Sequence, residues 1–393
     1  MSWPLVKVGD IFEVSSSKRV LQKDWRKEGV PFYRAREVVL LSKHGKVDND
    51  LFIDESMYET FKDKYGVPQE GDLLVTAVGT LGQTYAVKKG DRFYFKDASV
   101  IMFRPKVTVD ISYIQHAIRS PEVQRFIQNS DGATVGTYTI SRAKETEIPL
   151  PPLGEQKRIA AILDKADAIR QKRKQAIELA DEFLRSVFLD MFGDPVTNPK
   201  GWEVKACKDL FKRITVGIVV KPSSYYVESG VPALRSLNIG YYGIRSENLV
   251  YVSKSDNESI LSKTRVYEGD LVIVRSGQPG KTAVVCKEFD GVNAIDILIA
   301  TPKEELIDPQ FFAFFMNSEG GKKIVLAEQR GQVQKHFNVG SLNSTAIPLP
   351  PLSLQRTFAE IVATVYGKYQ TNKVTEFNEI FNSISQKAFS GQL

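Results

Sequence analysis

Two short loops combine glycines with polar side chains that could bind a ligand. The segment from Arg275 ends in Gly280-Lys281-Thr282 and approaches the phosphate-binding pattern GxxxxGK[ST]. Arg275 stands where that pattern requires its first glycine, so we do not predict nucleotide binding. We interpret the segment, and the similar residues 78–84, as glycine-containing turns between strands that direct polar side chains toward a ligand. The polar side chains of the two turns are Thr80, Gln83, Arg275, Gln278 and Lys281.

No familiar catalytic pattern occurs in the sequence. It contains no HExxH, GxSxG or GxGxxG motif and no Asn-Pro-Pro-aromatic stretch, and the nearest string is Asn198-Pro199-Lys200. Three histidines and two cysteines are too few for a structural zinc site or a disulfide framework. We therefore expect a chain that is not an enzyme and holds neither a metal nor a cofactor of its own.

Length and composition indicate a globular protein of at least two domains. The chain has 393 residues, of which 42% are apolar and 25% charged, and these values are ordinary for globular proteins. No apolar run approaches the roughly 20 residues of a membrane-spanning helix, and the first residues do not resemble a signal peptide. We expect a cytoplasmic protein without membrane contact. The net charge of +6 suggests an anionic partner but is too small to identify one.

The most informative feature is an internal duplication. The hexapeptide Ile-Pro-Leu-Pro-Pro-Leu at 148–153 returns at 347–352, 199 residues later, and Gly-Asp-Leu-Leu at 71–74 returns as Gly-Asp-Leu-Val at 269–272. Because the offset is nearly constant, each half repeats one order of elements. Strands and turns come first, two short helices follow, and the hexapeptide then precedes a long helix.

The two long helices are predicted to pair with each other. The segment from Glu155 to Asp190 contains no proline or glycine, and its apolar and small residues recur at steps of three and four, interrupted only at Arg173, which is a heptad pattern. A second such segment runs from Gln355 to about Phe389. A pseudo-twofold relation between the halves would make the helices antiparallel. The apolar seam of the first helix consists of Ile159, Ile162, Ala166, Ile169, Ala176, Ala180, Phe183 and Val187.

The predicted fold class is therefore α+β, with two globular α/β domains separated by an antiparallel pair of long helices, a coiled coil. The expected boundaries are 1–150 for the first globular domain, 151–193 for the central helix, 194–349 for the second globular domain and 350–393 for the C-terminal helix.

This arrangement resembles the specificity subunit of type I restriction-modification systems. The resemblance rests on IPLPPLGEQKRIAAILDKADAI from Ile148, IPLPPLSLQRTFAEIVATVY from Ile347 and the final AFSGQL. It implies an adaptor whose two target-recognition domains each read one half of a split sequence in double-stranded DNA. Because the polar loops of the two domains differ in sequence, we expect the two half-sites to differ and the target to be asymmetric. The resemblance also implies that the helices bind two methyltransferase subunits, which use S-adenosylmethionine, and that motor-nuclease subunits using ATP and Mg²⁺ join the complex.

If the resemblance holds, polar loop residues would contact the DNA, since they present hydrogen-bond donors and acceptors to base edges. Arg34 and Arg235 occupy equivalent places in the two halves, which suits a phosphate contact better than base reading. Two alternatives remain open: a specificity module of a related restriction system without a motor nuclease, and a coiled-coil scaffold that does not bind DNA. The DNA-binding candidates are Arg34, Arg36, Lys43, Thr80, Gln83, Tyr138, Arg235, Arg275, Gln278, Lys281, Gln334 and Lys335.

Overall fold

The computed structural model describes residues 3–129, 136–241, 243–327, 337–368 and 372–393. The chain divides into two compact units. Unit 1 comprises Met1–Lys172 and Phe377–Leu393, and unit 2 comprises Arg173–Glu376. No helix in the described ranges is long and apolar enough to cross a membrane.

Unit 1 begins with a mixed series of short strands and helices. In chain order the elements are β1 (Leu5–Lys7), α1 (Val8–Ile11), β2 (Phe12–Ser15), β3 (Val30–Tyr33), α2 (Ala35–His44), β4 (Phe52–Ile53), α3 (Glu55–Tyr65), β5 (Leu73–Thr76), β6 (Thr84–Ala86), β7 (Tyr94–Phe95), β8 (Val100–Pro105), α4 (Ile111–Arg119), α5 (Pro121–Gln128), α6 (Ile140–Glu145) and β9 (Glu147–Pro149). The long helix α7 (Leu153–Phe192) follows and continues into unit 2.

The central sheet of unit 1 is antiparallel and has the strand order β2-β8-β5-β6. Its strand β5 is buried on both faces, which explains why the sequence reads as a continuous apolar run there. Leu73 and Val75 pack against α4 and α7 in one core, whereas Leu74 faces a second core with Tyr85 and Phe95. A smaller sheet, β4-β3-β7, and the antiparallel pair β1-β9 complete the unit.

Unit 2 repeats this order of elements with one additional strand and without an α-helix in the place of α2. Its elements are β10 (Glu203–Ala206), α8 (Cys207–Leu210), β11 (Phe211–Val216), β12 (Tyr226–Val227), β13 (Val231–Leu234), β14 (Val250–Val252), α9 (Lys254–Glu258), β15 (Leu271–Val274), β16 (Thr282–Val284), β17 (Asn293–Ala294), β18 (Ile297–Pro302), α10 (Pro309–Asn317), α11 (Glu319–Ala327), α12 (Val339–Ser344), β19 (Ala346–Leu349), α13 (Leu352–Lys368) and α14 (Asn372–Ser390), the last of which ends in unit 1. The additional strand is β12. The sheet order β11-β18-β15-β16 matches that of β2-β8-β5-β6, so the duplication is confirmed in the fold.

A buried glutamine fastens each proline hexapeptide to its globular part. In unit 1 the Gln156 side chain donates from Nε2 to the Pro151 carbonyl at 2.8 Å and accepts from the Asp110 amide at 2.9 Å. In unit 2, Gln355 makes the same two bonds, to Pro350 at 2.8 Å and from Asp308 at 2.9 Å. Each glutamine therefore gives a hydrogen-bond partner to one amide at the start of a helix and to one carbonyl in the proline hexapeptide.

The ends of the long helices are part of the globular cores. In unit 1, Ile159 and Leu163 of α7 lie in one core with Ala388 of α14. In unit 2, Leu184 and Phe188 of α7 lie in one core with Phe358 of α13. The first part of α7 thus packs with the last helix of the chain and its second part with α13, which is the order of contacts that an antiparallel pair requires.

The predicted seam of α7 is wrong in part. Ile159 and Ala180 are buried, but Ile169 is 47% exposed and Phe183 is 52% exposed. Leu184 is fully buried instead, because the second part of α7 packs on the phenylalanines of the globular core as well as on α13. The heptad pattern assumes a single partner helix, so it does not predict the contacts of α7 with these phenylalanines.

One tryptophan in each unit anchors the end of a long helix. The Trp3 indole Nε1 donates to the Ala388 carbonyl at 2.8 Å in unit 1, and the Trp202 Nε1 donates to the Phe192 carbonyl at 2.9 Å in unit 2. Both carbonyls lie in the last turns of helices, where the regular hydrogen bonds from amides four residues later come to an end. The strand that opens each globular part is therefore fixed beside the end of a long helix.

Candidate nucleic-acid interface

The predicted glycine turn of unit 1 joins β5 to β6. Gly79 and Gly82 have φ values of 70° and 71°, a left-handed conformation that favours glycine. The Thr76 hydroxyl stabilises the turn by donating to the Thr80 carbonyl at 2.5 Å and accepting from the Gln83 amide at 2.9 Å. The Thr80 side chain is exposed and that of Gln83 half-buried. Both candidates therefore lie on one turn at the surface.

The matching turn of unit 2 joins β15 to β16 and carries different side chains. Gly277 and Gly280 again have positive φ, 79° and 84°. Gln278 is exposed and Lys281 is half-buried. Arg275 precedes the turn and is 20% exposed, with its Nη1 2.6 Å from Asp296 Oδ1. Of the three candidates in this turn, Arg275 is already held by an ion pair within the chain.

Arg34 and Arg235 occupy the same local structure, as their spacing in the duplication predicts. Each precedes a helical turn, and its amide donates to the side chain three residues later, Glu37 at 2.8 Å and Asn238 at 3.0 Å. The Arg34 guanidinium also donates to Glu37 and pairs with Asp50, each at 2.8 Å. The hydrogen bond to Glu37 raises the pKa of Arg34 further above its ordinary value. Arg235 donates to the Asn248 carbonyl at 2.6 Å.

The remaining candidates of unit 1 separate into surface and core residues. Arg36 and Lys43 are exposed on α2, and Arg36 lies 3.4 Å from Asp50. Tyr138 is 1% exposed, its hydroxyl is 2.6 Å from the Thr146 hydroxyl, and burial raises its pKa to about 12. A side chain enclosed in this way cannot reach a ligand, so the structure contradicts the assignment of Tyr138 and we withdraw it.

Gln334 and Lys335, the last two candidates, lie outside the described residues. Within the described ranges, no three His, Cys, Asp or Glu side chains converge on a point where a metal ion could be held.

The structure adds residues to the unit 2 turn that sequence reasoning missed. The ammonium groups of Lys281 and Lys322 each lie 4.8 Å from the centre of the Tyr241 ring. The positions of Lys322 and Tyr241 are about 40 residues from Lys281 on either side, so no local motif joins them. In unit 2, the Asn317 side chain bonds the backbone of Thr282 beside the turn. Arg119 takes the equivalent place in unit 1, and its Nη2 donates to Ser42 at 3.0 Å and to the Thr84 carbonyl at 3.2 Å.

Comparison with known proteins assigns this fold to a family. The chain matches the family described as Type I restriction modification DNA specificity domain over residues 2–179 and again over 199–382. The MjaIX specificity subunit of a type I restriction enzyme from Methanocaldococcus jannaschii is 22% identical, over 100% of this chain and 93% of that protein. The EcoBI specificity subunit from Escherichia coli is 20% identical, over 100% of this chain and 86% of that protein.

A shorter match and a solved structure agree with this assignment. A putative type I restriction enzyme specificity subunit from Haemophilus influenzae is 28% identical over 45% of this chain and 44% of that protein. The crystal structure of the type I restriction-modification S subunit from M. genitalium has the same fold, with a TM-score of 0.63 over 99% of this chain and 96% of that chain at 16% identity. Because the family match covers nearly the whole chain in two consecutive copies, the protein belongs to the type I restriction-modification specificity subunits.

Proposed function

We propose that this subunit reads an asymmetric, bipartite sequence in double-stranded DNA, each globular part binding one half-site. The observation that carries the proposal is that one turn is built twice with different side chains. Thr80 and Gln83 on the turn of unit 1 correspond to Gln278 and Lys281 on the turn of unit 2. Since hydrogen-bonding side chains distinguish base edges in the major groove, unlike side chains at equivalent positions favour unlike half-sites.

The remaining surface candidates fit a supporting role on the DNA backbone. Arg36 and Lys43 are exposed on one helix, and cations of this kind bind phosphates and fix the register of a protein on DNA. Arg34 and Arg235 are already engaged with acceptors in the chain, which favours a role in shaping the loops for both.

The long helices are proposed to bind the other subunits of the complex. Leu179 and Phe183, one turn apart on α7, are 65% and 52% exposed, and exposed apolar groups at this spacing suit an interface with another subunit. We assign this surface to a methyltransferase subunit and expect two such subunits per complex. S-adenosylmethionine then belongs to the methyltransferase, and ATP and Mg²⁺ belong to motor-nuclease subunits, so that this chain itself carries out no chemical step.

Filter binding with a random pool of duplexes tests the proposal, using the chain alone and in complex with its methyltransferase subunit. Retained DNA should become enriched in one sequence made of two unlike, separated halves. The absence of any sequence-dependent retention, in both forms of the protein, would support the scaffold alternative and would contradict DNA reading.

A further inference from the structure

The corner between the β15–β16 turn and α11 collects positive charge around one aromatic ring. Lys281 follows the turn, Lys322 lies on α11, and Tyr241 lies on the loop after β13. Both ammonium groups are 4.8 Å from the ring centre. The ring faces attract cations, yet two ammonium groups at one ring also repel each other.

The position of these side chains is fixed by the surrounding backbone. Asn317, at the end of α10, accepts from the Thr282 amide at 3.0 Å and donates to the Thr282 carbonyl at 2.8 Å. A side chain at Gly280 would lie within 3.1 Å of Val325 on α11, so the turn and the helix are in direct contact. Lys281 and Lys322 are therefore held close together by the fold.

Neither lysine of the cluster is paired with a carboxylate among the residues that the structure describes. The acids that line the same pocket as Lys322 and Tyr241 are Asp181, Asp194 and Glu319. Each has another partner: Glu319 pairs with Arg185 at 3.3 Å, Asp194 accepts from the Val196 amide at 2.7 Å, and Asp181 accepts from the Tyr366 hydroxyl at 3.2 Å. The pKa of Lys281 is lowered, first by partial burial and then by the charges of Arg245 and Lys322. An anion bound here would relieve this repulsion.

Unit 1 carries neutral amides at the positions of the two lysines, while Arg119, in the place of Asn317, is engaged with Ser42 and the Thr84 carbonyl. Gln83 stands in the place of Lys281, and Gln124 in that of Lys322. The Gln124 amide is used within the chain, since it donates to the Ile118 carbonyl at 2.8 Å. The positive pair is therefore a feature of unit 2 alone and is not required to build the turn.

We propose that Lys281 and Lys322, presented on the Tyr241 ring, form a phosphate-binding site for the DNA backbone at the half-site read by unit 2. The inference rests on the proposed DNA-reading function and adds to it a difference between the half-sites. Unit 2 contributes one or two phosphate contacts through this lysine pair, and unit 1 has no lysine at the two equivalent positions.

The salt dependence of DNA binding tests this site, because each phosphate contact contributes about 0.9 to the slope of log affinity against log salt. The full chain in complex with its methyltransferase subunit is titrated with a mixed-sequence duplex at several salt concentrations. The double substitution Lys281→Gln and Lys322→Gln should make the slope shallower by about 0.9 to 1.8. The control, Lys263→Gln with Lys287→Gln, removes the same charge from exposed positions of unit 2 and should leave the slope unchanged.

A second variant distinguishes the loss of positive charge from damage to the local fold. The substitutions Lys281→Arg and Lys322→Arg keep both cations and should restore the original slope. The site is disproved if the glutamine variant keeps the original slope, or if it and the control change the slope equally, since only net charge would then matter. Failure of the unmodified complex to select any sequence from random duplexes would instead contradict the proposed function itself.

Discussion

Replacing Gln156 with leucine tests how the proline hexapeptide of unit 1 is held. Gln156 is 3% exposed, and it bonds the Asp110 amide at 2.9 Å and the Pro151 carbonyl at 2.8 Å. Leucine fills a similar volume but makes neither bond, so two backbone groups are left buried without these partners. Each such group costs about 1 to 3 kcal/mol, and the added apolar surface returns about 1 kcal/mol. For the two groups together we expect unit 1 to lose about 1 to 5 kcal/mol of unfolding free energy.

Hydrogen exchange followed by mass spectrometry in increasing urea measures this loss, because it reports each unit separately and does not require two-state unfolding. Peptides that cover Asp110 and Pro151 should lose protection in the variant. The same change at Gln355 should affect unit 2 in the same way, and Gln171→Leu, at an exposed position of α7, serves as the control. Equal protection in Gln156→Leu and in the control would refute the assigned role.

The substitution Gln156→Glu adds a pH test of the same bonds. A carboxyl group can donate to the Pro151 carbonyl only when it is protonated, so its pKa in the folded chain will lie above the unfolded value of about 4.3. The destabilisation will therefore be small below about pH 4 and will grow as the pH rises through the folded pKa. A destabilisation that does not change between pH 4 and pH 8 would contradict the hydrogen-bond geometry.

Three further predictions address the surface and the core. Phe183→Ser should leave unfolding unchanged but reduce co-purification of the methyltransferase subunit, and undiminished co-purification would exclude Phe183 from that interface. Gln278→Ala should relax one base position of a single half-site by about 1 to 3 kcal/mol of discrimination, measured by methylation of variant target sequences, whereas loss spread over both half-sites would contradict base reading. A thiol reagent should label Cys286, which is exposed, and spare Cys207, whose burial raises its pKa. Labelling of both thiols in the folded chain would contradict the burial of Cys207 in the core of unit 2.

The duplication and the long helices were predictable because their signals are local. Three prolines in each hexapeptide and an uninterrupted helical segment identify both features without knowledge of any distant contact. The glycine turns were predictable for the same reason, since the left-handed conformation of Gly79 and Gly277 limits the residues that fit.

The errors and omissions all involve contacts between distant residues. Tyr138 is of a residue type common at recognition surfaces, but its amide donates to the distant Ala77 carbonyl at 2.9 Å and its ring lies in the core of unit 1. The buried register of α7 depends on Phe188 meeting the phenylalanines of α10, which are more than 120 residues away in the chain. The pairing of Lys322 with Tyr241 likewise exists only when α11 lies against the turn.

Sequencing of methylated bases in a host that expresses this subunit together with its methyltransferase tests the central claim most directly. We predict one methylated motif made of two unlike half-sites separated by a gap of constant length and unspecified sequence, and loss of that motif when the gene is deleted. A continuous or palindromic motif, or a methylation pattern unchanged by the deletion, would contradict the account.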